Sequence, residues 1–588
     1  MIFGSNIISY WLNNMKIKRI LFGILSAISF VSFCRAEGWE PGKTYTSLST
    51  DRYSYVSGDI AFFKLYGFFD EVPVPDQAVY VDLVTNEESF ITGAVVQMVQ
   101  GMASGYLVIP DSLPSGKYYL RLYSDQTKKL ENPFWDKKQI YVSNRFGKNK
   151  SIDNSYYEKE LPETNLHEVT GTGADFCKIL IKKDTFETRC KVEAQLKFRK
   201  ENGMGKIWAS LTVKPISPIE KKYTGLNTCL PAFNQGLIHM SQKSVKPGVV
   251  LKGQVKPTGN SGIPLDLSAI VVFLSLKDSI FRFFYSFPDE QGNFCFYLNK
   301  YTGDQLLYLS AFQRSDLSPL KDIQFEVTNN FIISNNSKIP QHEVLKYRTV
   351  TDSLNILKSI ITKAYQNQVA LFDMASRRDT CIWTHKYVAT KFTDIVYPDD
   401  YVNLPDLIEI AKEILPLVRY RNTSGTKTMV VVDKNTIREN PLVFVDGVPL
   451  VEIEKIEGLS SSEIRCIEVK SEPRAYGDFL FKNGFIFIWT KKIDFWETTR
   501  SDYIFTYQMQ CYQNPITFTY PDYPNTNNHN IPDYRQTLYW NPEIVIDNQV
   551  PVNINFFTSD ETGDFEILLQ GISSEGIPIN VSKIITVE

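Results

Sequence analysis

The chain reads as a mainly β protein, with several β-sandwich domains in series plus one small α+β domain. Three observations carry this. Tyrosine (32) and phenylalanine (38), both strand formers, are abundant, while histidine numbers only 5 in 588 residues. Strand-like segments alternate apolar and polar residues with a period of two. Acidic turns ending in glycine recur and feed such segments.

The alternation is clearest after the turn Pro114-Ser115-Gly116. There Tyr118, Leu120 and Leu122 share one face, and Lys117, Tyr119 and Arg121 take the other. This is the pattern of a half-buried antiparallel strand. Ser57-Gly58-Asp59 marks another turn ahead of the apolar run Ile60 to Phe69, so the region from Pro41 to Phe146 reads as a sandwich. DEQGNFCFYL at 289–298 and DETGDFEILL at 560–569 agree at five of ten positions, aligned on the turn glycine. Each puts three apolar residues on one face: Phe294, Phe296 and Leu298, or Phe565, Ile567 and Leu569. QGMASGYLVIP at 100–110 is a looser third copy, and the irregular spacing fits repeated hairpins rather than a solenoid. The acidic turn Asp560-Glu561-Asp564 supplies fewer ligands than calcium takes, so a plain turn is expected.

The N-terminus has the layout of a cleavable secretory signal. Lys16, Lys18 and Arg19 precede a 14-residue uncharged run from Ile20 to Phe33, followed by Cys34-Arg35-Ala36. That run is shorter than the ~20 residues a spanning helix needs. The expected cleavage follows Ala36, with Met15 as an alternative start. A second reading acylates Cys34 as a lipid anchor, although Phe33 is bulky for that role. Removal of four basic residues shifts the net charge from −3 to −7, which argues against nucleic acid or an anionic membrane surface as partner. No later apolar stretch is long enough to cross a bilayer as a helix.

Helical spacing appears between Gln341 and Ser376, where Leu354, Leu357, Ile360 and Ile361 form an apolar face continued by Ala364, Val369 and Leu371. A second helix is expected over Leu404 to Arg419, with Leu407, Ile410, Ile414 and Leu417 on one side and Pro405 in the first turn. Both read as packing helices. Asp446-Gly447 suits a tight structural turn with φ > 0, and Phe485, Phe487 and Trp489 alternate with Ile486 and Ile488 in a strand apolar on both faces. Such a strand is expected at the centre of its sheet, between the second helix and another layer. Residues 496–540 are irregular and aromatic, and two readings stand: an ordered linker clasping its neighbours, or a surface for a glycan or protein using Tyr520, Tyr523, Tyr534 and Trp540. In order, the expected divisions are a signal peptide at 1–36, sandwiches at 37–150, 151–240 and 241–335, and a helical connector at 336–394. An α+β domain at 395–495, an aromatic linker at 496–540 and a C-terminal sandwich-like segment at 541–588 follow.

Chemistry is sparsely signalled. Past the expected signal site stand Cys177, Cys190, Cys229, Cys295, Cys381, Cys466 and Cys511, with no C-x-x-C pair and no zinc spacing. Cys177 and Cys190 could bridge adjacent strands in an oxidising compartment, and the plainer reading makes them buried small hydrophobes. His167-Glu168 and His342-Glu343 lack the second histidine of H-E-x-x-H, and neither a G-x-S-x-G elbow, a Walker loop nor G-x-G-x-x-G occurs. No catalytic residue, cofactor or metal is therefore expected, and the chain reads as a non-enzyme.

Two stretches resemble known families. VSGDIAFFKLYGF at 56–68, GYLVIPDSLPSGKYYLRLYS at 105–124 and KKQIYVSNRF at 137–146 resemble a macroglobulin-type sandwich domain. PLVFVDGVPL at 441–450, IEGLSSSEIRCIEVKSEPRAYG at 456–477 and NGFIFIWTKK at 483–492 resemble the second half of the plug domain of TonB-dependent outer-membrane receptors. The resemblance stops short of a transporter, because the 96 residues after Lys492 are too few for a barrel of about 22 strands. It also stops short of thioester trapping, since no cysteine has a G-C-G-E-Q setting. The order of parts is similar to exported Gram-negative envelope proteins that join a macroglobulin-like domain to a barrel-less plug-like domain, and PDYRQTLYWNP at 532–542 fits that group. The resemblance implies a periplasmic, outer-membrane-associated or surface location. With no catalytic arrangement in the sequence, the function expected is binding or scaffolding among envelope proteins, with an outer-membrane barrel as one candidate partner. The alternative is surface glycan binding beside a TonB-dependent transporter.

Overall fold

The structure, a computed structural model, describes residues 44–69, 72–129, 136–146, 150–152, 177–198, 206–216, 248–258, 266–276, 284–333, 347–365, 372–374, 394–423, 425–433, 436–476, 479–525, 530–546, 551–574 and 578–588. The expected signal segment, Cys34, Cys229 and Cys381 lie outside these residues. The protein is mainly β, with several sandwiches.

The first sandwich closes within one stretch of chain. A four-stranded sheet centred on Ile60–Phe69 faces a five-stranded sheet ordered Ser54–Val56, Asp136–Ser143, Gly116–Ser124, Gln77–Val84, Phe90–Met98. Phe63, Leu65, Val79, Val81, Leu120 and Leu122 fill the space between, so the alternating residues of 117–122 bury the face expected of them. The turn before that strand is tied down locally, with the Tyr118 hydroxyl donating to the Pro114 carbonyl at 2.7 Å. One residue departs from the pattern. Arg121, on the face expected to be wet, is only 1% exposed and forms a two-pronged pair with Asp82 at 2.9 and 2.7 Å. Its guanidinium also reaches the Ile332 carbonyl, because the end of the third sandwich lies over that face.

The other two sandwiches are each completed by chain from far downstream. In the second, Cys177–Ile181 and Lys191–Phe198 pair with Val552–Phe557 in one sheet. Its other sheet runs Thr185–Phe186, Pro578–Val587, Gly563–Ser573, Ile207–Pro215, Tyr539–Ile546. Strands from the segments 151–240 and 541–588 thus share both sheets and one core, which includes Leu196, Leu211, Phe556 and Leu569. In the third, Asn293–Leu298, Val249–Pro257 and Ile323–Val327 form one sheet, and Phe284–Ser286, Ile270–Leu276, Asp304–Gln313 and Ile504–Gln510 the other. The edge strand Ile504–Gln510 comes from the segment expected to be a linker, and Ile516–Phe518 from the same segment pairs with Phe372–Met374. Both copies of the repeat bury their expected faces: Phe294, Phe296 and Leu298, and Phe565, Ile567 and Leu569. Asp289 turns its carboxylate on its own loop, accepting from the backbone of Gln291 and Asn293 at 3.0 and 2.8 Å.

The α+β unit holds a five-stranded sheet ordered Asp394–Val396, Ile464–Lys470, Phe485–Thr490, Leu442–Val445, Val448–Leu450, and a three-stranded sheet of Val418–Thr423, Thr426–Asp433 and Thr436–Glu439. Its helix is shorter than expected. It spans Leu407–Glu413, capped by the Asp406 carboxylate accepting from Glu409 N at 2.9 Å, and Pro405 precedes the cap rather than entering the first turn. Pro416 accounts for the early stop: it disfavours a helical Leu415 and supplies no N–H, and Val418 already opens a strand. Leu407, Ile410 and Ala411 are the buried residues of this helix, while Ile414 and Leu417 are half-buried.

The helix between the third sandwich and the α+β unit spans Val350–Ala364, inside the expected region, and it is turned over. Leu354, Leu357 and Ile360 of its apolar stripe are 50%, 53% and 44% exposed, while Ser359 and Ile356 are buried. The Ser359 hydroxyl donates to Asp59 at 2.9 Å, Lys363 to the Ser57 carbonyl at 3.0 Å, and Lys358 pairs with Glu561 at 2.5 Å. The surface it meets is lined with carboxylates and carbonyls, and only the donor-bearing side of the helix satisfies them.

Candidate functional site

The sequence-predicted turn Asp446-Gly447 joins Leu442–Val445 to Val448–Leu450 as a two-residue hairpin, and both residues have positive φ, 48° and 82°. That is the backbone of a turn whose twist matches the flanking strands. Asp446 is 4% exposed, and its carboxylate accepts from the Thr490 backbone N–H at 2.8 Å, the Thr490 hydroxyl at 2.7 Å and the Phe495 N–H at 3.4 Å. Burial pushes the Asp446 carboxyl above its usual range, against the pull of the Thr490 bonds. Nearby, the Trp496 indole N–H donates to the Val445 carbonyl at 2.7 Å. The side chain thus fastens the hairpin to the end of the neighbouring strand and to the short helix Phe495–Thr498. This is the work of a structural aspartate.

That neighbouring strand, Phe485–Thr490, is buried at every position and lies at the centre of its sheet. Ile486 and Ile488 pack with Leu407, Ile410, Val443 and Val445. Phe485, Phe487 and Trp489 face the other way, in one cluster with Phe444 and with Val271, Phe273 and Phe312 of the third sandwich. Phe444 stacks on Phe487 with centroids 4.7 Å apart and planes at 7°. Tyr503 seals the seam, its ring edge-on to Phe312 and its hydroxyl accepting from Val451 N at 2.9 Å. The second layer expected over this strand is therefore a sheet of the third sandwich.

The four aromatic candidates do not converge. Trp540 is 6% exposed and lies 6.3 Å from the Phe62 ring of the first sandwich. Tyr523, also 6% exposed, sits edge-on to Phe557. Tyr520 is half-buried against Tyr539, and Tyr534 is half-buried. Tyr503 and Tyr512 are buried as well, and no described Phe, Tyr or Trp between 503 and 540 is among the exposed large apolar side chains. The Tyr523 hydroxyl donates to Asp533, which pairs with Arg535; Arg535 also donates to the Phe557 carbonyl at 2.5 Å.

The acidic turn is occupied by protein groups. Asp560 takes both prongs of Arg189 at 2.5 and 2.7 Å, Glu561 accepts from Lys358 and from Gln536, and Asp564 accepts from the Thr586 hydroxyl. Among the described residues no group of three or more His, Cys, Asp or Glu is placed to hold a metal. Cys177, Cys190, Cys295, Cys466 and Cys511 are free, and burial pushes the thiols of Cys177, Cys466 and Cys511 up to about 12.

Sequence reasoning missed a buried polar junction. Asp51, fully buried, accepts from the Tyr55 hydroxyl at 2.8 Å and the Thr537 hydroxyl at 2.6 Å, and pairs with Arg52, which also reaches Asp59. The Thr212 hydroxyl donates to the Asp51 carbonyl at 3.1 Å. Burial works against the Arg52 charge, and Asp51 and Asp59 more than restore it, so the guanidinium stays protonated. The first sandwich, the second sandwich and the Val350–Ala364 helix meet here. Nothing in the local text of Asp51-Arg52 announces it, since their partners lie up to 486 residues away.

No protein-family model and no curated protein matches the chain. Among solved structures, it aligns over 94% of its length with trypsin-activated alpha-2-macroglobulin from Escherichia coli, at 8% identity and a TM-score of 0.16. It aligns over 92% with a Salmonella alpha-2-macroglobulin reacted with methylamine, at 9% identity and a TM-score of 0.15. A further alignment, with the Escherichia coli protein activated by porcine elastase, covers 92% of the chain at 8% identity and a TM-score of 0.21. The chain spans 24% and 23% of the first two proteins and 43% of the last. Among the described residues, no helix is long and apolar enough to cross a membrane.

Proposed function

We propose that this protein is a non-enzymatic scaffold of the Gram-negative cell envelope, exported and associated with outer-membrane protein assemblies. The observation that carries the reading is the seam between the α+β unit and the third sandwich, where Phe444, Phe485, Phe487 and Trp489 pack against Val271, Phe273 and Phe312. A plug-like unit needs its apolar sheet covered, and here the chain's own sandwich covers it. The result is a body held by apolar seams, suited to presenting outer surfaces to partners at fixed spacing. The aromatic segment supports the same reading over glycan binding, because sugar stacking needs exposed rings and these rings serve the sandwiches.

Crosslinking in intact envelopes followed by affinity capture tests this. The expected result is a small, reproducible set of envelope proteins whose crosslinks map to outer surfaces of the sandwiches and the α+β unit. Saturable binding to a glycan that is lost in Tyr520→Ala or Tyr534→Ala, with no protein crosslinks, would replace the scaffold with a saccharide-binding module.

A further inference from the structure

Among the described residues, the α+β unit exposes an apolar patch beside its helix. An open groove beside its helix is lined by Asp400, Tyr401, Val402, Leu404, Glu413 and Ile414. Val402, at 77%, is the most exposed of the large apolar side chains among the described residues, and Tyr401 is 52% exposed. Leu404, at 9%, forms the floor.

The backbone holds this exposure in place. Tyr401 N donates to the Pro398 carbonyl at 3.1 Å, closing a turn before Val402. After it, Leu404 N donates to the Ser461 hydroxyl at 2.9 Å, Ser461 N donates to the Leu404 carbonyl at 3.0 Å, and the Ser461 hydroxyl donates to the Asn403 side chain at 2.7 Å. Val402 is thus pinned outward from both sides.

The charged lining is acidic: Asp400 and Glu413 contribute carboxylates, and no lining residue is a cation. Lys412 is shared between Glu409 and Glu413, and Asp399 pairs with Lys491. The Asp400 carboxylate on the groove edge has no cationic partner among the described residues. An acidic rim repels an anionic lipid surface and a second copy of the same acidic face, and it complements lysine and arginine.

We infer that this groove docks a short segment of a partner protein, with an apolar side chain seated against Tyr401, Val402 and Leu404 and flanking basic residues on Asp400 and Glu413. The inference deepens the scaffold reading and rests on it.

Two fluorescent peptides sharing one Leu-Leu-Phe anchor, flanked by lysines in one and glutamates in the other, serve as probes for the full chain in anisotropy titrations. The lysine peptide should bind at least about tenfold tighter, and Val402→Glu should weaken it by about tenfold or more. The pair Asp400→Lys with Glu413→Lys should reverse the preference. Val402→Glu should leave circular dichroism and Tm unchanged, since the side chain lies outside the core. Absence of binding by either peptide, equal binding of both, or binding indifferent to Val402→Glu would overturn the proposal. Self-association of the wild-type chain abolished by Val402→Glu would assign the groove to a second copy and overturn it too. Envelope crosslinks retained in full by Val402→Glu would remove the groove while leaving the scaffold reading intact.

Discussion

The strand Phe485–Thr490 and the helix Val350–Ala364 each offer an apolar face at a regular period, and they end in opposite situations. The strand is covered on both faces, by a helix of its own unit and by a sheet of another. The helix presents Leu354, Leu357 and Ile360 outward and buries Ser359. Burial of apolar area favours covering both segments by about 25 cal/mol per Å². For the helix a larger local demand decides. The surface beneath it carries Asp59, the Ser57 carbonyl and Glu561, and leaving such acceptors dry and unpaired costs about 1–3 kcal/mol each. Periodicity reports that a face exists, whereas the chemistry of the receiving surface decides which side is buried.

The largest expected effect breaks the strand. Trp489→Asp should cost about 3–5 kcal/mol, because it leaves an unpaired charge between two layers. Chemical denaturation should then show the α+β unit unfolding early, and the seam with the third sandwich opening. A variant that kept its midpoint but lost envelope crosslinks would make Trp489 an exposed contact, and the comparison would collapse.

Next in size is the hairpin beside that strand. Asp446→Ala removes the acceptor for Thr490 and Phe495 and places alanine at a positive φ, with an expected loss of about 2–3 kcal/mol. Asp446→Asn tolerates the backbone and should cost less. It should also change the pH profile. The folded pKa of Asp446 is raised, so the folded state holds its proton longer than the unfolded chain does. Stability from this group is therefore present below the ordinary carboxylate range and declines as pH rises through the raised value. Urea midpoints across that interval should fall in the wild type, and the Asp446 share of the slope should vanish in Asp446→Asn.

Two helix substitutions sharpen the contrast at smaller scale. Ser359→Ala deprives Asp59 of a buried donor and should cost about 1–2 kcal/mol. Leu357→Gln, on the exposed stripe, should change stability by no more than about 0.5 kcal/mol. A loss above about 2 kcal/mol in Leu357→Gln would show that the stripe is packed in solution, contrary to the orientation described.

Local signals were legible where the information is local. Tyr118, Leu120 and Leu122, the repeat strands at 289–298 and 560–569, and the Asp446-Gly447 turn all follow from period-two burial or from the φ that a two-residue hairpin demands. Apolar spacing predicts a helix to Arg419, and Pro416 ends it earlier, at Glu413. The Arg121–Asp82 pair and the Asp51 junction gave no local sign. Their burial depends on what packs above them, and an isolated charged residue on a strand reads the same whether wet or covered.

The sequence by itself determined the mainly β class, the Asp446-Gly447 hairpin and the inward faces of the strands at 118–122, 294–298 and 565–569, because strand geometry couples each residue to its neighbours at a fixed period. Only the tertiary structure decided which strands share a sheet. Ile207–Pro215 pairs with Tyr539–Ile546 and Gly563–Ser573, and Asp304–Gln313 pairs with Ile504–Gln510, across hundreds of residues. Backbone hydrogen bonds carry no residue identity. Any strand with a matching apolar face satisfies an open edge, so the choice of partner falls to the summed packing of the finished core rather than to any motif in either strand.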